Sequence, residues 1–397
     1  MNAPTRINSA LNVRDQFPAI ANWHYLDSAA TAQKPQAVID AITQAYSRDY
    51  ATVHRGVYER SATMTDAYER ARAAAAKLIG GQANELIFTR GATEAINLVA
   101  RSLPRNGRNR VLLSQLEHHS NIVPWQLAGY EVDAVPLTPD GQIDLDAAEA
   151  MLTEEHRVVA FAHVSNVLGS ILDARRAAEI AHSKGALLLL DGCQAVPRLP
   201  VSVADIGADF YAFSAHKLYG PTGIGCLWGK AELLQSLPPW QGGGAMIEKV
   251  TFEETTYLDP PARFEAGTPH IVGTVGLHAA VNWVEKLSLD AIHAHECALV
   301  AKARAALSDI GGVTVYGPED SAGIVSFNVD GVHAHDTATI LDDAGVAVRA
   351  GHHCAQPLMD WLGVDATARA SFAAHSDSSD IAALVKGIEQ VKRIFSA

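Results

Sequence analysis

Two stretches of this chain leave little freedom in how it folds. Ala186-Leu187-Leu188-Leu189-Leu190-Asp191 and Asp209-Phe210-Tyr211-Ala212-Phe213 are apolar at consecutive positions, without the alternation of a half-wet strand. Strands of this kind are buried on both faces, as in a parallel sheet covered by helices. Further strands are expected at 85–89, 110–114, 131–137 and 157–164, with helices at 144–152 and 174–184 between them. That alternation predicts an α/β fold with a mostly parallel sheet. At 397 residues the chain exceeds the ~250 to 300 at which single cores stop growing, so a second domain is expected.

Both apolar strands empty into chemistry. The first ends in Asp191; the second runs into Ser214-Ala215-His216-Lys217 ahead of the Gly/Pro loop from Tyr219 to Gly223. In an open α/β sheet, ligands bind beyond the carboxyl ends of the strands. An acid and an amine on neighbouring strand ends suit pyridoxal phosphate, whose aldehyde takes a lysine and whose ring nitrogen takes an acidic partner. Taken singly, each residue has a commonplace role, Asp191 as a helix cap and Lys217 as a surface cation.

Arg90-Gly91-Ala92-Thr93-Glu94 reads as a tight turn opening a helix, where exposed amides and the Thr93 hydroxyl make an anion site; it is equally the pattern of a capped helix. His118 and His119 follow the strand 110–114 with no third ligand at metal spacing nearby, so no metal site is expected. Asn166 ends the strand 157–164, a position that also suits a turn-forming asparagine. Val348-Arg349-Ala350-Gly351-His352-His353-Cys354 places a cysteine in a Gly/His turn, either a reactive thiol or a structural one. Arg369 stands fifteen positions later at a strand start, suited to bidentate grip of a carboxylate or to a salt bridge.

Together the segments Ser214 to Gly223, Asp191-Gly192-Cys193-Gln194 and Arg349 to Cys354 resemble the class V aminotransferase superfamily, and within it the group II cysteine desulfurases of the SufS/CsdA type. The resemblance implies a fold-type I pyridoxal-phosphate transferase, with a large mostly parallel domain and a smaller α+β domain. It implies conversion of L-cysteine to L-alanine, with the sulfur left as a persulfide on Cys354. Lys217 would carry the cofactor and take the Cα proton. His118 would lie on the pyridine ring and shuttle protons. Asp191, Gln194, Ala92, Thr93, Ser214 and His216 would complete the cofactor site, with Asn166 and Arg369 on the substrate. Thr268, in Arg263 to Pro269, would reach the phosphate of a second subunit, and His54-Arg55-Gly56 would point towards that subunit's site, implying a homodimer with shared active sites. A protein sulfur acceptor of the SufE or SufU type is implied, serving iron–sulfur cluster or other sulfur biosynthesis. The sequence departs from the family pattern at Ala92, Cys193 and Ala215, where Thr, Ala and Gly are usual. Selenocysteine lyase activity, transamination and kynureninase-type cleavage are the rival reactions.

The formal charge of −13 leaves no electrostatic footprint for nucleic acid or an anionic membrane. No apolar run approaches the ~18 residues of a membrane helix, and no signal core is evident, so a cytoplasmic protein is expected. Four scattered cysteines, Cys193, Cys226, Cys297 and Cys354, form no disulfide framework. The expected division is an arm at 1–25, a large domain at 26–290 and a small domain at 291–397. One helix is expected at 63–79 and one long helical tract at 272–307. In that tract His293, His295 and Cys297 share no single face and read as ordinary helix residues. The Gly-rich run 238–247 reads as a gate or a linker.

Overall fold

The computed structural model describes residues 11–395. Seven strands form the central sheet: β1 (Leu86–Thr89), β2 (Arg110–Ser114), β3 (Glu131–Val135), β4 (His156–Ala162), β5 (Leu187–Asp191), β6 (Phe210–Ser214) and β7 (Gly225–Gly229). Their spatial order is β1-β7-β6-β5-β4-β2-β3. Strands β3, β2, β4, β5 and β6 are parallel, and β7 lies antiparallel between β6 and β1.

The consecutive apolar residues have the expected cause. Leu188, Leu190, Tyr211 and Phe213 belong to one core cluster, whereas Leu189, Phe210 and Ala212 belong to the other. Each strand therefore feeds the packing on both faces, and a fully buried Leu or Phe contributes roughly 1.5–3 kcal/mol relative to exposure. The helix Ala174–Ser183 is capped by the Asp173 side chain, which accepts from Arg176 N–H at 3.0 Å. Its Ala177, Ala178 and Ala181 are small enough to let it lie close on the sheet.

A second sheet has the order β8-β9-β11-β10, all antiparallel, from β8 (Val313–Tyr316), β9 (Ile324–Val329), β10 (Arg349–Gly351) and β11 (Thr367–Ser371). The helices Leu289–Ser308 and Ser378–Phe395 cover it with Leu299, Ala303, Leu307, Leu384, Ile388 and Val391. Residues 11–25 are tied to this unit. Arg14 and His24 both bond the fully buried Asp380, at 2.9 and 2.7 Å, and His24–Tyr25 pairs in parallel with Val346–Ala347. The expected arm segment 1–10 lies outside the described residues.

Two expected helices differ. The one placed at 63–79 begins earlier, at Glu59, because extended Tyr58 makes the entry and Glu59 puts a favourable acid in the first turn. The tract 272–307 is two helices, Ile271–Leu287 and Leu289–Ser308, broken where Ser288 takes φ 74°. Residues 346–347 pair with the arm and 349–351 with β11. The Gly-rich run leads into an antiparallel ribbon, Ile247–Val250 with Thr255–Tyr257, whose Val250 and Phe252 are exposed.

Candidate active site

The carboxyl ends of β4, β5 and β6 open on one cavity of about 190 Å³. Asp191, Lys217, His118, Asn166, Gln194, Ala92, Thr93, Ser214, His216, Cys354 and Arg369 all line it. Thr268 does not; it lines a neighbouring cavity with Trp240, Phe264 and Glu265. His54 sits in an exposed loop at φ 68°.

Asp191 is 8% exposed, and its Oδ1 accepts from Cys193 N–H at 2.9 Å. Among the described residues no cation pairs with it. Lys217, half-buried in the short turn Ala215–Lys217, makes no hydrogen bond or ion pair among the described residues. A buried anion without a counter-ion and a half-buried amine without a hydrogen-bond partner are costly alone. Both are accounted for if a cationic ring nitrogen meets the first and an aldehyde carbon the second.

The helix Ala92–Ser102 aims its N-terminus at the same cavity. Ser214 Oγ accepts from Ala92 N–H at 2.9 Å, and Thr93 Oγ1 lies 2.8 Å from Ser120 Oγ, so the hydroxyls ring the open first-turn amides. Gly225 makes this approach possible, since a Cβ there would meet Gly91 Cα at 2.6 Å. Ala92 costs the cradle one hydroxyl, and Ala215 keeps φ out of the left-handed region, so its methyl is tolerated. The donor set fits a phosphate, and the site as a whole fits pyridoxal phosphate.

His118 is held by Ser120 N–H, which donates to its Nδ1 at 3.0 Å. Burial, then the Lys217 charge, pushes His118 down to about 4, so its ring is neutral with the proton on Nε2. The segment carrying it is anchored by Glu117, whose buried carboxyl accepts from Ser114 Oγ, Asn121 Nδ2 and Ala162 N–H at 2.6, 2.8 and 3.0 Å. Gln194 spends Nε2 on Ala29 O at 2.8 Å, and its Oε1 accepts from Arg198 at 2.9 Å.

Arg369 is 2% exposed. Its Nη1 donates to Asn166 O at 2.7 Å and its Nη2 to Asp27 Oδ1 at 3.1 Å. Burial pulls this guanidinium down to about 10, still cationic near neutrality. Arg349 lies directly across the β10–β11 ladder from it and also lines the cavity. Asn166 turns its Nδ2 to His353 O at 2.7 Å, joining the large sheet to the cysteine loop. Cys354 is exposed at φ 56°, beside His353 at φ 53°. Cys193 is buried 3.7 Å from Ser214 Oγ, and burial, then Asp191, pushes its thiol up to about 12. It lies at the wall of the cavity, held in the thiol form. His293 and Cys297 meet at 3.6 Å, while His295 faces the other way to Leu11 N–H and Ser376 O.

Sequence reasoning passed over Asp27, Arg349, Ser120 and Glu117. Asp27 stood in a small-residue turn with no motif around it, and its partner lies 342 positions away.

A partnerless lysine and a buried carboxylate on adjacent strand ends, facing a helix N-terminus, define a pyridoxal-phosphate enzyme of fold-type I. The aminotransferase class-V family model matches residues 24–384, and the chain belongs to that family. Its relatives narrow the class. It is 48% identical to a probable cysteine desulfurase of Halalkalibacterium halodurans, covering 94% of this chain and 93% of the relative. It is 46% identical to a cysteine desulfurase of Dickeya dadantii, covering 99% of each. Among solved structures, the cysteine desulfurase CsdA of Escherichia coli superposes with a TM-score of 0.91 at 40% identity, covering 96% of this chain and 98% of that one.

Proposed function

We propose that this chain is a pyridoxal-phosphate-dependent cysteine desulfurase, releasing L-alanine from L-cysteine and keeping the sulfur on Cys354. The observation that carries the reading is that Cys354, Arg369 and Lys217 line one cavity although they come from different sheets.

The cofactor, when bound, supplies an electron sink that stabilises negative charge at the substrate Cα. Asp191 would hold the ring nitrogen in its protonated form. Thr93, Ser214, His216 and the first-turn amides of the helix Ala92–Ser102 would hold the phosphate, and Gln194 the phenolic side. Arg369 grips the substrate carboxylate through its fork, aligned by Asn166 O and Asp27. Lys217 Nζ, half-buried and without a partner, is placed to accept the Cα proton. Cys354 Sγ, as thiolate, attacks the substrate sulfur. A new S–S bond forms, the Cβ–S bond breaks, and its electron pair stays with the carbon skeleton. His118 Nε2–H faces the same cavity and can return a proton, giving alanine and a persulfide.

A homodimer completes the site in this reading, with Thr268 meeting the partner's cofactor phosphate and the loop His54-Arg55-Gly56 pointing towards the partner's site. The break at Ser288 supports a domain limit near 290/291, and the proposed limit at 25/26 lies beside Leu26, which bonds Ala347 and Ser371 of the small unit. A cytoplasmic setting and a SufE- or SufU-type protein acceptor fit a persulfide on an exposed loop. Among the described residues no helix is long and apolar enough to cross a membrane. The test is to incubate the yellow holoenzyme with L-cysteine, then to measure alanine and a gain of about 32 Da on the Cys354 peptide. Alanine without that gain would refute Cys354 as the carrier.

A further inference from the structure

The loop bearing Cys354 is tied to the large sheet by a side chain that does not line the cavity. His119 follows β2; its main-chain N–H donates to Cys354 O at 2.7 Å, and its Nε2 accepts from Gln356 N–H at 3.0 Å. Gln356 opens the helix Gln356–Leu362, so its N–H is one of the donors a helix leaves unpaired, and the imidazole supplies the acceptor. His353 and Cys354 are consecutive left-handed residues with side chains. Such a pair persists only where the surroundings over-determine it. The ties on the large-sheet side are those of His119 and of Asn166 Nδ2 to His353 O, at 2.7 Å, while His353 Nε2 lies 2.9 Å from Thr367 Oγ1 on β11.

We propose that His119 is the latch of the nucleophile loop, a positioning residue whose imidazole, bonded to Gln356 N–H, holds Cys354 over the Lys217 cavity. The proposal rests on the desulfurase reading. One hydrogen bond is enough to bias the position of an exposed loop by severalfold. The second tie, through the His119 main chain, survives any substitution at this position, so the imidazole sets the balance without being indispensable to the fold.

The test uses the holoenzyme with His119→Ala and His119→Gln, the latter keeping an acceptor at similar reach. Three quantities are read: hydrogen exchange of the 352–358 peptide, the rate of Cys354 alkylation by iodoacetamide, and kcat and KM for alanine formation with excess thiol reductant. In His119→Ala, exchange and alkylation should each rise about fivefold and kcat fall about fivefold with KM little changed, as expected for one lost hydrogen bond. His119→Gln should recover all three to within about twofold. Unchanged exchange and alkylation in His119→Ala, or no recovery in His119→Gln, would overturn the latch. If wild type makes no alanine, the desulfurase reading falls while the exchange and alkylation arms still decide the latch.

Discussion

Replacing Asp27 by asparagine should improve substrate binding while weakening the fold. Asp27 Oδ1 accepts from Arg369 Nη2 at 3.1 Å, and its side chain is 22% exposed against 2% for Arg369. A substrate carboxylate on that guanidinium must share it with Asp27. Two anions about 5 Å apart repel by roughly 3 kcal/mol at an effective dielectric constant near 20. Solvent at the half-open Asp27 and salt reduce this to about 1–2 kcal/mol. KM for L-cysteine should therefore fall about five- to thirtyfold in Asp27→Asn. The amide oxygen still accepts from Arg369, so the guanidinium stays aimed. Losing the partly exposed charge pair costs about 1 kcal/mol, or about 2 °C in Tm. Steady-state alanine production and a thermal melt of the same preparation read both. An unchanged or raised KM would refute the competition and leave Asp27 with alignment of Arg369 alone.

Cys354→Ala should keep the cofactor absorption yet lose alanine formation from cysteine by at least about 100-fold, read by chromatography of the amino acids. Gly225→Ala drives a methyl against Gly91 Cα and Phe213 O, both 2.6 Å from an ideal Cβ. It should cost about 1–3 kcal/mol and weaken retention of the cofactor, measured by dialysis. Stability should fall on acidification. Burial holds His163 down to about 4 and His375 down to about 3, both below the ordinary 6.5. The unfolded chain therefore takes up protons first, and stability present above pH 6.5 is lost as pH drops towards 4, by on the order of 3 kcal/mol per group. A Tm flat between pH 6.5 and 4.5 would contradict this.

The large sheet was legible because burial on both faces leaves a mark in sequence: Leu188 and Leu189 serve opposite cores, so neither could be polar. The ends of β5 and β6 were legible for the converse reason, since Asp191 and Lys217 break apolar runs where a soluble fold has no need of charge. Long-range pairings left no such mark. Nothing near Asp27 announces Arg369, and nothing near His119 announces Gln356, because each bond joins segments more than 200 positions apart. The break at Ser288 was hidden for a third reason. Serine is neither glycine nor proline, so nothing at that position announces its positive φ.

The environments of the cysteines then argue for the nucleophile without appeal to motif. Cys226 is fully buried and burial raises its thiol well above the ordinary range, Cys193 is pushed up to about 12, and Cys297 is raised by burial beside Glu296. Each is held in the thiol form, which neither attacks sulfur nor carries it. Cys354 alone among them is exposed, in a turn whose backbone is held in an otherwise unfavourable shape by bonds to the large sheet. A transferred sulfur needs a carrier that meets the substrate inside and an acceptor outside. An exposed thiol on a loop bonded to both sheets is open to both, whereas a thiol fixed on a buried strand is open only to the first.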